Sequence, residues 1–394
     1  MNMKAAVATS IVMGALLAAV AWGPATTAGD APLADAPRAT AANQPRLDGA
    51  FQGGGPLLGQ APPIAPPPYK LRWTYRTDDT ERAGVDGAPV IVGQIVYVAD
   101  SRGTVHAIDL ATGKPRWKYK AADGFSTTPL VIDGKVLLGD LSGIFHAISA
   151  ADGSKLWTVD TEATIHSSAN AEGHRIVFGN DAADLYCLDL VSGRMLWKQR
   201  AEDRINSAPA IAGGIAYFSG CDARLRGIDL VGGEARVEAD LGALAPGSAV
   251  VAGDRIVVGT DQGRVVCLST DGKTRHWVYE GIAGGAMVYA TPAVSDGIVV
   301  VGARDRQVHA IDLATGKGLW IFRTRGDVDA PARISSGRVY VSGKDRRFYV
   351  LDLKTGKQLW DFAASRSMEG GVAIGGGAIV FGDSGGSVFC LEAQ

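Results

Sequence analysis

From Thr127 to Asp160 the chain reads TTPLVIDGKVLLGDLSGIFHAISAADGSKLWTVD, and its apolar positions fall into four short runs. Pro129 to Ile132 precedes an Asp133-Gly134 turn, and Val136 to Gly139 leads to a polar turn around Ser142-Gly143. Ile144 to Ile148 then reaches Asp152-Gly153, and a fourth run carries Trp157. Short runs of β-formers broken by Gly-containing turns predict a meander of antiparallel strands. The same grammar recurs to the end of the chain. Trp stands at 73, 117, 157, 197, 277, 320 and 360, with successive spacings of 44, 40, 40, 80, 43 and 40. The 80 spans two periods, with Val237 where a Trp is due. A repeat of about 40 residues, four strands to a unit and eight units, predicts an all-β eight-bladed propeller.

The ends of the pattern predict how the ring closes. The last unit, Met368 to Leu391, has three strands and no Trp, whereas Leu71 to Thr77 is a fourth strand with nothing before it. The N-terminal strand should therefore complete the C-terminal blade, which also pairs an edge that would otherwise invite aggregation.

Upstream of the repeats the pattern changes twice. Residues 1–28 carry one charge, Lys4, and an apolar run from Ala5 to Trp22 followed by small residues. This reads as an export signal, with an uncleaved N-terminal anchor as the alternative. Residues 29–68 are rich in Ala, Pro and Gly and nearly free of aromatic residues. Such a stretch cannot bury enough apolar area to offset its ordering entropy, so a disordered tether is expected ahead of a propeller at 69–394.

Composition adds little beyond this. Hydrophobic residues at 46% and charged residues at 20% suit a folded chain, and 52 Gly suit many tight turns. A formal net charge of −2 supplies no field toward nucleic acid or anionic lipid.

The turn between third and fourth strands is the most regular element: HAIDLATGKPRW at His106–Trp117, YCLDLVSGRMLW at Tyr186–Trp197, HAIDLATGKGLW at His309–Trp320 and YVLDLKTGKQLW at Tyr349–Trp360. It resembles the tryptophan-docking motif of the pyrroloquinoline-quinone-type propeller family, from Leu71 to the C-terminus. The resemblance implies that Trp73, Trp117, Trp157, Trp197, Trp277, Trp320 and Trp360 each pack against a neighbouring blade. The Gly-His and Trp-Asp marks of WD40 propellers are isolated and fall in different repeats. The quinoprotein dehydrogenases of the resembled family carry a vicinal Cys pair, calcium ligands and a catalytic Asp. This chain has no adjacent cysteines and little room for long loops. It is more similar to the non-enzymatic branch that includes BamB of the outer-membrane β-barrel assembly machinery, although it lacks a lipidation Cys.

No catalytic or metal grouping emerges from the residues. His106, His146 and His309 occupy one repeat position, and Cys187, Cys267 and Cys390 stand where other units have Ala; both sets read as packing residues. Cys221 ends a second strand, and no disulfide is expected. Asp109, Asp189, Asp229, Asp312 and Asp352 recur by repeat and read as turn formers. A different signal comes from a position where the frame is kept while the chemistry varies. Just before each innermost strand stand Asp86, Ser126, His166, Asn206, Pro246, Tyr289, Asp329 and Glu369. In a propeller these should ring the mouth of the central channel, where they either drift as exposed loop residues or contact a ligand or partner. The expectation is an exported, monomeric, non-catalytic propeller that scaffolds proteins of the bacterial envelope, with no metal and no cofactor, quinone included. A small-ligand or sensor propeller and, further off, a quinoprotein oxidoreductase are the alternatives.

Overall fold

A computed structural model describes residues 49–78 and 83–394; the expected export signal and residues 29–48 of the expected tether lie outside the described residues. Eight four-stranded antiparallel sheets follow one another along the chain. Blade 1 is Val90–Val92, Ile95–Ala99, Thr104–Asp109 and Pro115–Lys120, and the other blades repeat it. In blade 1 the inner strand has three residues and the third and fourth have six, so the blade widens from the channel outward. Turn chemistry sets the hairpins: at Asp133-Gly134 both residues take positive φ, 46° and 69°, the mirror-image turn that matches strand twist. Asp109 Oδ1 accepts from the Ala111 and Thr112 amides and closes the third-to-fourth-strand turn, the role read from its recurrence.

Closure is as the pattern predicts. Tyr69–Arg76 pairs antiparallel with Ser387–Ala393, setting Trp73 opposite Cys390 and Thr74 opposite Phe389. The pairing slips by one residue between Leu71 and Trp73, the same bulge that every other blade carries before its Trp or Val237. Strands from opposite ends of the chain thus rebuild the repeat down to its irregularity.

Each docking residue except Trp360 meets the turn of the next blade. The Trp73 indole N–H donates to Leu110 O at 2.8 Å, and Trp117, Trp197, Trp277 and Trp320 make the equivalent bond. Gly113, at φ +71°, is required there, because a Cβ would lie 2.7 Å from the Trp73 ring. Trp73, Trp197 and Trp277 are buried, while Trp117, Trp157, Trp320 and Trp360 are half-buried. Val237 fills the vacant wedge position, buried and packed toward Gly272. Trp360 faces the blade that lacks the turn, and Tyr69 takes its place, edge-on at 5.3 Å.

The expectation of a disordered tether is corrected from Gly49 to Pro68. This segment winds inside the channel at the end opposite the blade-to-blade loops. Gly49, Gly55, Pro56, Leu58 and Gly59 carbonyls accept from Val131, Ile211, Val251, Val294 and Ile334, the central amides of five inner strands. Blade 3 joins through the side chain of Asn170, which donates to Gly55 O and accepts from Gly55 N. Leu57 is fully buried. The chain then leaves across blade 7, where Ser335 Oγ donates to Pro62 O and Arg338 to Ile64 O, and enters the closing strand. A segment too poor in apolar area to fold alone is ordered because the channel wall supplies both burial and donors.

Candidate functional site

Strands of a meander alternate in direction, so the loops entering each blade and the turns between second and third strands share one face. On that face the eight varied residues, Asp86, Ser126, His166, Asn206, Pro246, Tyr289, Asp329 and Glu369, all line one cup of about 440 Å³. Phe51, from the segment in the channel, reaches it from below. Two positions further on, a girdle of small residues holds the blades together: the amides of Ala88, Thr128, Ala208 and Ser248 donate to the hydroxyls of Thr128, Ser168, Ser248 and Thr291 on the next blade. The frame is thus fixed by backbone and hydroxyl, which leaves the rim residue free of that duty.

A second varied ring stands beside the first, in the turns between second and third strands. Ser101, Leu141, Asp181, Cys221, Asp261, Arg304, Lys344 and Ser384 each donate their amide to the carbonyl two residues before a rim residue. Sequence reasoning missed this ring. Its signal is the same as for the first, a kept frame with changing chemistry, but at the other loop of the repeat. The structure places Cys221 here, partly exposed, and all four cysteines are free thiols. Burial pushes the Cys390 thiol up to about 12 and raises those of Cys187 and Cys267 as well.

The two rings interlock electrostatically on blades 6 to 8. Arg304 grips Asp329 through Nε at 3.0 Å and Nη2 at 3.0 Å, and its guanidinium lies over the Tyr289 ring at 5.3 Å. Lys344 Nζ is 2.9 Å from Asp329 and 3.8 Å from Glu369. Burial alone would raise the Asp329 carboxyl, but these two cations outweigh it and hold it below the usual range. Asp86, one blade beyond Glu369, is open to the cup yet walled in. That desolvation, and then the Glu369 charge, pushes its carboxyl up. No ion pair or hydrogen bond from a described residue reaches the Asp86 side chain.

On blades 2 and 3, Ser126 Oγ and His166 Nδ1 are 3.0 Å apart, and His166 Nε2 lies 3.8 Å from Asp181. These are the residue types of a nucleophilic relay in the wrong arrangement. The hydroxyl sits at the nitrogen that an orienting carboxylate would occupy, and the carboxylate is beyond hydrogen-bond reach. The repeat histidines do structural work, as their recurrence suggested. His106, His146 and His309 each lie within 3.1 Å of a Tyr hydroxyl from the preceding blade and of an Asp of their own. Burial pushes the His309 imidazole below its ordinary value, against the pull of Asp305.

A quinone site like that of the resembled dehydrogenases would need a cysteine pair and calcium ligands at the cup. No cysteine lines the cup, and the four cysteines belong to four different blades. Among the described residues no three His, Cys, Asp or Glu converge on a metal position, and the best-shielded rim carboxylate is already held by two cations. The donor set does not fit. Among the described residues no helix is long and apolar enough to cross a membrane.

A family described as outer membrane protein assembly factor BamB matches residues 68–172, 142–280 and 281–394. The solved structure of BamB from Moraxella catarrhalis superposes with a TM-score of 0.70 at 17% identity, covering 83% of this chain and 98% of that one. Quinohemoprotein alcohol dehydrogenase from Comamonas testosteroni superposes with a TM-score of 0.74 at 14% identity, covering 89% and 81%. A europium-containing methanol dehydrogenase gives 0.75 at 12%, covering 89% and 99%. At such identities these likenesses show the fold alone. In sequence, the Comamonas testosteroni enzyme is 45% identical over 49 residues, a stretch spanning 12% of this chain and only 7% of the enzyme's length.

Proposed function

We propose, from the premise that the chain belongs to the family of outer membrane protein assembly factor BamB, that it is an exported, non-catalytic propeller that docks protein partners of the cell envelope through its cup face. The observation that carries this reading is the cup itself. Sixteen loop positions in two rings are held by repeated backbone bonds, while their side chains range over Asp, His, Pro, Tyr, Arg and Lys. Drift alone leaves exposed residues solvated and separate. Here several are tied to one another across blades, as a pre-organised binding surface requires. The channel beneath is occupied by the protein's own segment 49–60, so what docks on this face meets a recess and not a conduit. The reading includes action as a monomer without a bound cofactor.

The test is in-cell photocrosslinking. A crosslinking residue at Ser126 or Asn206 should capture a defined envelope protein, and one at Thr355, in a turn on the opposite face, should not. Replacing Asp86, His166, Tyr289 and Glu369 together by Ala should abolish that capture with the fold intact. Capture that is unaffected by the replacement, or equal from both faces, overturns the reading. Quinone-dependent oxidation is the competing reading, favoured by the fold likeness and the 49-residue match. Saturable quinone binding in the presence of calcium, with dye-linked alcohol oxidation, would replace the scaffold by the enzyme.

A further inference from the structure

We propose that the cup is a receptor for a basic side chain, Arg or Lys, presented by the docking partner, with Asp86 and Glu369 as its counter-charges and Tyr289 as the wall for its stem. This deepens the reading above and rests on it. The recess of about 440 Å³ lies within the range of ligand sites, about 300–1,000 Å³, and it is closed below by Phe51. It suits an inserted side chain better than a flat contact.

Three carboxylates, Asp86, Asp329 and Glu369, line the cup together with three cations, Arg304, Lys344 and, on the loop entering blade 4, Arg204. Asp329 is saturated, because Arg304 and Lys344 both hydrogen-bond to it. Lys344 is spent there and reaches Glu369 only at 3.8 Å. Asp86 receives no cation from any described residue, and its carboxyl is pushed up by burial and by Glu369. Two carboxylates therefore share one arc with at most one distant ammonium between them. The seam that brings them together is built for closeness. A Cβ on Gly370 would stand 2.7 Å from Gly87 O and 3.0 Å from Asp86 O, so only glycine lets blades 8 and 1 approach this far. A guest ammonium or guanidinium would relieve the like-charge repulsion and donate to both carboxylates, whereas a guest carboxylate would add a third negative charge.

Tyr289 is 42% exposed inside the cup, with Arg304 over its ring. An aromatic face already stacked by one guanidinium, beside an apolar Phe51 and Pro246, offers the methylene stem of Arg or Lys a place to lie.

The experiment uses the purified full chain and three small probes: Nα-acetyl-arginine amide, Nα-acetyl-glutamine amide and Nα-acetyl-glutamate amide. Binding is followed by NMR shifts in the cup, at low and at physiological salt. The arginine probe should saturate in the millimolar range, weaken with salt, and bind at least tenfold more tightly than the other two. The isosteric double variant Asp86→Asn/Glu369→Gln should lose that preference, and unchanged shifts elsewhere would report an intact fold. Absence of saturation by the arginine probe, a preference for the glutamate probe, or equal binding to the double variant overturns the proposal. If cup-face crosslinks to a partner persist in the double variant, the scaffold reading stands and only the basic guest is lost. If no cup-face crosslink forms at all, the scaffold reading itself fails.

Discussion

At the scale of single residues, the docking tryptophans show that a repeated letter is not a repeated energy. All seven stand at the same place in the period, yet Trp197 is 1% exposed while Trp117 is half-buried on a more open rim. Both donate an indole N–H across the blade boundary. Trp197→Ala should cost about 3–5 kcal/mol, as for other buried aromatic residues, and Trp117→Ala clearly less. Equilibrium denaturation of the two variants checks the ranking, and equal losses would show that burial depth does not set it. The wedge without an indole, Val237, is legible as a gap in the sequence. That it stays buried is not legible, because this depends on Gly272 closing onto the smaller side chain.

At the scale of elements, the segment from Gly49 to Pro68 and the strand after it form one continuous clasp. The first part bonds to the inner strands of blades 2, 4, 5, 6 and 7 and to Asn170 of blade 3; the second completes blade 8. Leu57 is the apolar anchor of the first part. Leu57→Ala should cost about 2–5 kcal/mol, the usual penalty for a buried leucine, and should make the segment cleavable by a protease that spares the wild type. If Leu57→Ala is as resistant and as stable as the parent, the segment is not anchored as described. Removing residues 1–76 should do more, because it strips the outer strand from blade 8 and leaves Ser387–Ala393 as a bare edge. Light scattering should report association of the truncated chain at concentrations where the whole chain is monomeric. A monodisperse truncated propeller would show that closure by this strand is dispensable.

At the scale of the whole molecule, stability should fall with acidity through two kinds of group. Burial lowers the pKa of His309, so the unfolded chain takes up a proton near pH 6.5 while the folded one does not. Stability is therefore lost as pH drops through about 6.5 toward the folded value. Turn aspartates act lower: Asp109 is held at about 2 by Arg116 and Thr112, and Asp312 and Asp352 are lowered by Thr315 and Thr355. Their contribution is present above the ordinary carboxylate range and is lost as pH falls through the folded values. The denaturation midpoint should accordingly drop between pH 7 and pH 5, and His309→Gln should drop less over that interval. An equal slope would remove His309 from the account. Blade count, strand order within each blade, closure and the eight rim positions are legible in the chain before it folds. All of these follow from periodicity, and a period-2 strand with Gly turns has few other ways to bury its apolar face. The remaining features arise in the assembled ring. The second ring, the Arg304–Asp329–Lys344 cluster and the fate of residues 49–68 depend on which loops meet around a common axis. The Ala-, Pro- and Gly-rich stretch looks self-insufficient, and it is; it is ordered because inner-strand amides and a buried wall are waiting for its carbonyls and its leucine. Local composition reports what a segment can bury by itself, and not what the remainder of the fold can bury for it.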